Sequence, residues 1–306
     1  MLAGVDIGGT KCAVVFGDEN GNIVKKVKFA TAGRDETLAE IKEILKTEKF
    51  DAIGVSCGGP LDEKNGIIMS PPNLIGFDDV HITEILQKEF GVPVRLCNDA
   101  NASALAEYKY GAGKGTENMV FLTFGTGMGA GLILGGRLYS GTNGNAGEVG
   151  HIRLSPFGPS GYGKCGSFEG FCSGGGIAEM GRQFLLEAKQ NGVTPLYAEK
   201  ENFTAADIAD AARKGDKYAL KIFEISAEKL GEGLSVIIDI LNPERIVIGS
   251  IYARCTDLFE PAVRKVTERE ALKNSLSVCR VVPAALGEKI GDMAALAVAL
   301  TASEGK

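Results

Sequence analysis

The 306-residue sequence contains no apolar stretch approaching the ~18 residues of a membrane span. Its first residues also lack a signal-peptide pattern. Positive charge is not in excess: 33 Lys and Arg against 39 Asp and Glu leave a net charge of −6, which argues against nucleic acid or a membrane surface as the main partner. A paired set of cysteines is missing as well, since the seven thiols (12, 57, 97, 165, 172, 255, 279) are odd in number and scattered. Cys57 in "IGVSC" and Cys97 in "VRLC" read as buried thiols serving as small hydrophobes. A reducing cytoplasm fits this usage.

What is present is the composition of a globular protein long enough for two domains of about 100–200 residues each. Glycine, at 42 residues, runs at roughly twice the usual usage of about 7%. The excess falls in short clusters between apolar runs, where tight turns and close ligand approach require a residue without Cβ.

"MLAGVDIGGTKCAVVFGDENGNIVKKVKFAT" reads as three strands joined by tight turns. Residues 35–47 carry apolar side chains at 38, 41, 44 and 45, a helical stripe. A buried strand "FDAIGVSC", the loop "GGPLDEKNG", a short helix over 79–90 and a strand "VPVRLC" follow. "NDANASALAEYKYG" predicts a helix opening at Asn98 or Asp99. This alternation indicates an α/β fold with largely parallel pairing. At about residue 118 the pattern restarts in "NMVFLTFGTGMGAGLILGGRLYSG", and at an offset of 117 Asp6-Ile-Gly-Gly-Thr falls on Thr123-Phe-Gly-Thr-Gly. The echo implies two domains of one architecture facing each other across a cleft. Farther on, Thr204 and Asp207 form a capping-box-like start. Residues 217–241 then give a long amphipathic helix (Leu220, Phe223, Ala227, Leu230, Leu234, Ile237, Leu241) ended by "NPE". "RIVIGS" and "CRVVPAA" read as buried strands and "DMAALAVALTAS" as a final helix.

Glycine-rich turns after strands cradle phosphates because bare backbone N–H groups approach an anion closely, although a single such loop can equally be a hairpin turn. Here two of them open a repeated unit, both carry threonine hydroxyls, and Lys11 adds a charge beside the first. The pair would grip a di- or triphosphate from both sides of a cleft. In "CNDAN", Asp99 stands at a strand's C-terminal end and a helix's N-terminus, a place that suits an N-cap as well as a carboxylate on a ligand-binding wall. A kinase acting on a hydroxyl needs such a carboxylate to accept the proton. Glu148 and His151 in "GEVGH", with Glu169, are side chains suited to hydrogen bonding with sugar hydroxyls, with a core histidine and helix caps as the alternatives.

"DIGGTK", "GGP", "PPNL", "NDANASALAE", "FGTGMGAG", "GNAGEVGH" and "NPERIVIG" resemble, in order and over essentially the whole chain, the motifs of the ROK family of sugar kinases and sugar-responsive repressors. The resemblance implies a two-domain α/β protein of the actin-like ATPase (sugar kinase/heat-shock 70) fold, each domain a mixed sheet flanked by helices. The last helix would return to the first domain, giving 1–117 plus 290–306 and 118–289, with the active site in the cleft between. It implies ATP-dependent transfer of phosphate to a hexose, with Asp99 as catalytic base and Gly59, Asn98, Glu148, His151 and Glu169 around the sugar. Asp6, Gly8, Gly9, Thr10 and Lys11, with Gly125, Thr126 and Gly127, would hold the phosphates. Gly249 borders the adenine side, and Mg2+ would bridge ATP near Asp6 and Asp99. A homodimer is a family-level expectation. Family repressors carry a helix-turn-helix ahead of the first phosphate loop, whereas this chain starts its first strand at Leu2, so DNA binding is not expected. A sugar-sensing regulator or pseudo-kinase is the alternative function.

The chain departs from the family pattern at two places. Ser250 stands where glycine is usual, which its small size would make tolerable. The family's zinc knuckle of three cysteines and a histidine falls here on Ser160, Tyr162 and Ser167, so no structural zinc is expected in "GYGKCGSFEGFCSGGG". Cys165 and Cys172 lie elsewhere, the latter expected to pack as a small apolar group. Tyr162, Phe157, Phe168 and Phe171, with Pro156 and Pro159, are expected to brace the segment instead.

Overall fold

The structure is a computed structural model that describes residues 1–305. The chain opens with strands β1 (Leu2–Ile7), β2 (Lys11–Gly17) and β3 (Ile23–Ala30), then helix α1 (Arg34–Leu45) and strand β4 (Ala52–Cys57). A short hairpin, β5 (Leu61–Asp62) and β6 (Ile67–Ile68), leads to α2 (Ile82–Phe90), β7 (Val94–Asn98) and α3 (Asp99–Tyr110). The second run contains β8 (Met119–Leu122), β9 (Ala130–Leu134), β10 (Arg137–Leu138), a tiny hairpin β11 (Ser160–Gly161) and β12 (Lys164–Cys165), α4 (Phe168–Phe171), α5 (Gly174–Gln190) and α6 (Ala205–Arg213). It ends with α7 (Lys217–Leu241), β13 (Arg245–Ile248), α8 (Ile251–Arg254), α9 (Thr256–Glu270), α10 (Lys273–Val278), β14 (Arg280–Pro283) and α11 (Ile290–Ser303).

Two five-stranded sheets result, ordered β3-β2-β1-β4-β7 and β10-β9-β8-β13-β14. In the first, β1 pairs antiparallel with β2 and parallel with β4, and β4 pairs parallel with β7. In the second, β13 lies parallel to both β8 and β14. By compactness the chain divides into one unit of Met1–Glu117, Gly131–Ala146 and the residues from Ala285 on, and another of Asn118–Ala130 and Gly147–Ala284.

Within the first unit β1 and β4 are buried along nearly their whole lengths, and α11 covers them. The helix approaches so closely that a Cβ on Gly54 would stand 2.2 Å from the Ala299 nitrogen, so β4 admits only glycine there. On the same sheet Phe16, Ile41, Leu45, Ile53 and Phe77 form a fully buried apolar cluster.

Within the second unit, local signals set the helix ends. Thr204 and Asp207 make a reciprocal capping box at α6. The Asp216 carboxylate accepts from the backbone of Tyr218 and Ala219 at the start of α7, and Asn242 turns left-handed at its end. The buried stripe of α7 runs through Phe223, Ala227, Leu230, Leu234 and Ile237, as the spacing predicts. Leu220 is exposed, because Ala219 and Ile222 face the interior in its place, and Leu241, the helix's last residue, is only half-buried. The expectation that "CRVVPAA" is a buried strand is also corrected: β14 is the sheet's edge, with its two valines half-buried and its ends exposed, as on an edge and not on a core strand.

Candidate active site

The first glycine turn joins β1 to β2. The Gly8 nitrogen donates to the Lys11 carbonyl (3.2 Å), while Thr31 fastens the turn from β3's end, its hydroxyl donating to Gly8 O (2.5 Å) and its nitrogen to Thr10 O (3.1 Å). Gly9 has no room for a side chain, since a Cβ would meet the Asn73 carbonyl at 2.4 Å. Thr10 and Lys11 are exposed at the turn's rim. A cavity of about 240 Å³ opens beside it, lined by Asp6, Gly8, Gly9, Gly59, Asn73 and Asp99 among others. Five of these were picked out in the sequence. Asn73 was not, although it belongs to the quoted "PPNL".

At the end of β7 the chain turns directly into α3, and the capping question is resolved there. Asn98 is the N-cap, its side-chain oxygen accepting from the Ala100 nitrogen at 2.9 Å. Asp99 is therefore the first helical residue, with Oδ1 accepting from the same nitrogen at 2.8 Å. Asp99 opens to solvent at the cavity, yet the protein packed around its carboxyl desolvates it and raises its pKa, against a smaller opposing effect of the Ala100 N–H. Burial also lifts Asp6, to about 6, aided by the negative charges of Asp292 and Asp99 and opposed by Lys26 and Lys11. Lys26 itself is ion-paired with Asp292 in the first turn of α11. Two carboxylates on one cavity are hard oxygen donors, the set that holds Mg2+ when one or two carboxylates act together with substrate phosphates.

Glu63 is a second residue of this neighbourhood that the sequence does not single out. Lying between the short strands β5 and β6, it accepts from the Asn98 nitrogen (2.7 Å) and from the Asn101 side-chain amide (3.0 Å) through Oε1. Its other oxygen accepts from the Ser140 hydroxyl at 3.2 Å.

In the second unit, Gly125, Thr126 and Gly127 form a tight turn after β8, closed by Gly125 N donating to Gly127 O at 3.1 Å. The Gly174 nitrogen at the head of α5 donates to Gly125 O at 2.8 Å. Glu169 is tied to the same turn, its Oε2 accepting from the Met128 nitrogen at 2.9 Å. Neither glutamate caps a helix with its side chain: Ser167 caps α4, and Glu148 stands at the N-cap position of the 3₁₀ turn Val149–His151 without making a capping bond. His151 is exposed, which removes the core-histidine alternative. Gly249 donates its nitrogen to Leu122 O, and the next residue needs a different account from the expected one. Ser250 has φ 52° and ψ −112°, a region that side chains other than glycine's rarely enter, so backbone strain and not space explains the usual glycine.

The former knuckle positions have new tasks. Ser160 and Tyr162 lie in the β11–β12 hairpin, and Ser167 Oγ accepts from the Gly170 nitrogen at 3.1 Å. Among the described residues no group of three or more His, Cys, Asp and Glu side chains is placed to hold a metal ion. Phe168 and Phe171 are buried as expected, but Phe157 and Tyr162 are 80% and 86% exposed and do not brace the segment by packing. Tyr162 leans its ring edge-on toward the His151 imidazole, centroids 5.9 Å apart. Hydrogen bonds fasten the segment: Phe168 N to Ile152 O (2.8 Å), Arg153 to Cys165 O (2.6 Å) and Lys164 Nζ to His151 O (2.5 Å). Cys172 is fully buried with its thiol toward Ser226 O, and burial raises its pKa.

A family model described as "ROK family" matches residues 2–302. The chain is 34% identical over 306 residues to a glucokinase of Thermotoga maritima, covering 97% of this chain and 96% of that one. Its structure is similar to that of a ROK family glucokinase from Streptomyces griseus in complex with glucose and AMPPNP (TM-score 0.77, 30% identity, 97% of this chain and 98% of that one). It is also similar to a ROK family transcriptional regulator, a homologue of the E. coli MLC protein (TM-score 0.87, 25% identity, 99% of this chain and 78% of that one).

Proposed function

The chain belongs to the ROK family, and from that membership we propose that it is an ATP-dependent kinase that transfers the γ-phosphate of ATP to glucose, at O6. The kinase activity and the actin-like ATPase fold follow from full-length likeness to glucokinases, one of them solved with glucose and an ATP analogue. The observation that carries the reading to particular residues is Asp99, a carboxylate on the wall of the cavity that holds the first glycine turn, with its pKa raised by the protein packed around it.

In the reaction, Asp99 accepts the O6 proton as O6 bonds to the γ-phosphorus and the bond from that phosphorus to the β–γ bridging oxygen breaks, leaving ADP. A pKa above the ordinary value makes the Asp99 carboxylate a better proton acceptor near neutral pH than an unperturbed aspartate. Asn98, Gly59, Glu148, His151 and Glu169 hold the sugar hydroxyls, and the bond from Met128 N fixes the Glu169 carboxylate for this task. The turns at Gly8-Gly9-Thr10-Lys11 and Gly125-Thr126-Gly127 present backbone N–H groups and hydroxyls to the phosphates, and Gly249 borders the adenine. Asp6 and Asp99 would hold Mg2+ arriving with ATP, and the ion would supply neutralisation of phosphate charge. The proposal includes a reducing cytoplasm, which keeps the buried thiols reduced, and a homodimer.

Likeness to a transcriptional regulator supports a second reading, sugar sensing without turnover. Asp99 decides between them. Asp99→Asn is expected to keep glucose and ATP binding, measured by calorimetry, while kcat falls by about 10²–10⁴-fold. Near-normal turnover in that variant would remove Asp99 from the role of base.

A further inference from the structure

We propose that Glu63 is a positioning residue for the catalytic base, holding the β7–α3 turn so that Asp99 meets the sugar hydroxyl; the proposal rests on Asp99 being that base. The pairing of β7 with β4 ends at Asn98, opposite Cys57, so beyond that residue the turn depends on other restraints. Asn98 spends its side-chain oxygen on Ala100 N, and Asp99 Oδ1 shares that same donor, so neither side chain anchors the turn to the rest of the unit. The Glu63 carboxylate supplies that anchor. It takes the Asn98 backbone N–H, one residue before the base, and the Asn101 amide two residues after it, through one oxygen at 2.7 and 3.0 Å. Its second oxygen receives the Ser140 hydroxyl, which fixes the carboxylate plane.

Asn101 makes the arrangement costly to lose. The residue is 2% exposed and its side-chain oxygen has no hydrogen-bond partner, so the bond to Glu63 is what satisfies this buried amide. Without Glu63 both ends of a polar side chain at the base's own helical turn would be unpaired, and the turn would shift to solvate them. A displacement of the base by about 1 Å is enough to cost on the order of 10²-fold in rate.

Reach and charge are separable here. Glu63→Gln keeps the side chain's length and an acceptor oxygen, and its amide can donate to the Ser140 oxygen. Glu63→Asp keeps the charge but is one methylene short. Positioning therefore predicts that Glu63→Gln retains kcat within about threefold while Glu63→Asp and Glu63→Ala lose about tenfold or more, with KM for ATP unchanged in all three. The decisive arm is a cycle with Asp99→Asn, measured with glucose and ATP at a temperature where thermal melts show every variant folded. If Glu63 acts through Asp99, adding Glu63→Asp to Asp99→Asn lowers kcat no further. An unchanged kcat in Glu63→Asp and Glu63→Ala, or equal losses with and without Asp99, would overturn the proposal while leaving Asp99 as the base. Full activity of Asp99→Asn alone would overturn both.

Discussion

Asp6 is held in a setting that works against its charge. Burial, then the carboxylates of Asp292 and Asp99, lift its pKa from 3.8 to about 6. The folded chain therefore keeps a proton that the unfolded chain releases between those values, so this residue's contribution to stability is full below pH 3.8 and is lost as the pH rises through 6. At about 1.4 kcal/mol per pKa unit, the penalty above that window is at most about 3 kcal/mol. Asp6→Asn is expected to raise the Tm of the unliganded protein at pH 8, with the gain shrinking as the pH is brought toward 4. A gain independent of pH would contradict burial of the charged carboxylate as its cause. How legible such residues were depended on locality. Asp6, Asn98 and Asp99 stand in short motifs at strand ends, where the turn and the chemistry are written in consecutive letters. Glu63 was not legible, because its meaning lies in bonds to Asn98 and Asn101, 35 and 38 residues away, made by a surface-type residue in an ordinary loop.

Elements were legible where their ends carry their own chemistry. The capping box at Thr204 and the Asp216 and Asn242 caps define α6 and α7 without tertiary information. Leu220 and β14 were misread because exposure at a helix's first turn and at a sheet's edge depends on neighbours that no local period encodes. Ser250, between β13 and α8, is similar: its letter hides a backbone with φ 52°. Relief of that strain, partly offset by glycine's freedom in the unfolded chain, should make Ser250→Gly more stable by about 1 kcal/mol in denaturant titration. A loss of stability would show that the serine side chain compensates. Gly54 on β4 makes the opposite prediction. Its replacement by alanine drives a methyl into the α11 backbone at Ala295 and Ala299, and is expected to cost about 3 kcal/mol or more. An unchanged melting temperature would contradict the packing of α11 on β1 and β4.

On the scale of the molecule, the two sheets share one plan: a central strand, β1 or β8, is flanked by a hairpin partner on one side and parallel strands on the other, and is followed by a glycine turn. The offset of 117 residues between the two turns made this plan visible in the sequence, because the turn chemistry repeats even where the apolar letters differ. The grouping of 131–146 with the first unit was not visible, since the β9–β10 hairpin belongs by pattern to the second repeat. If this plan serves phosphate transfer from ATP to glucose, a coupled assay of ADP release over glucose, fructose, allose, mannose and N-acetylated sugars will report it. Sugar-dependent ADP release is expected, with the highest kcat/KM for glucose and glucose 6-phosphate as product. Glucose that binds, while no sugar raises ADP release above the rate without sugar, would contradict it.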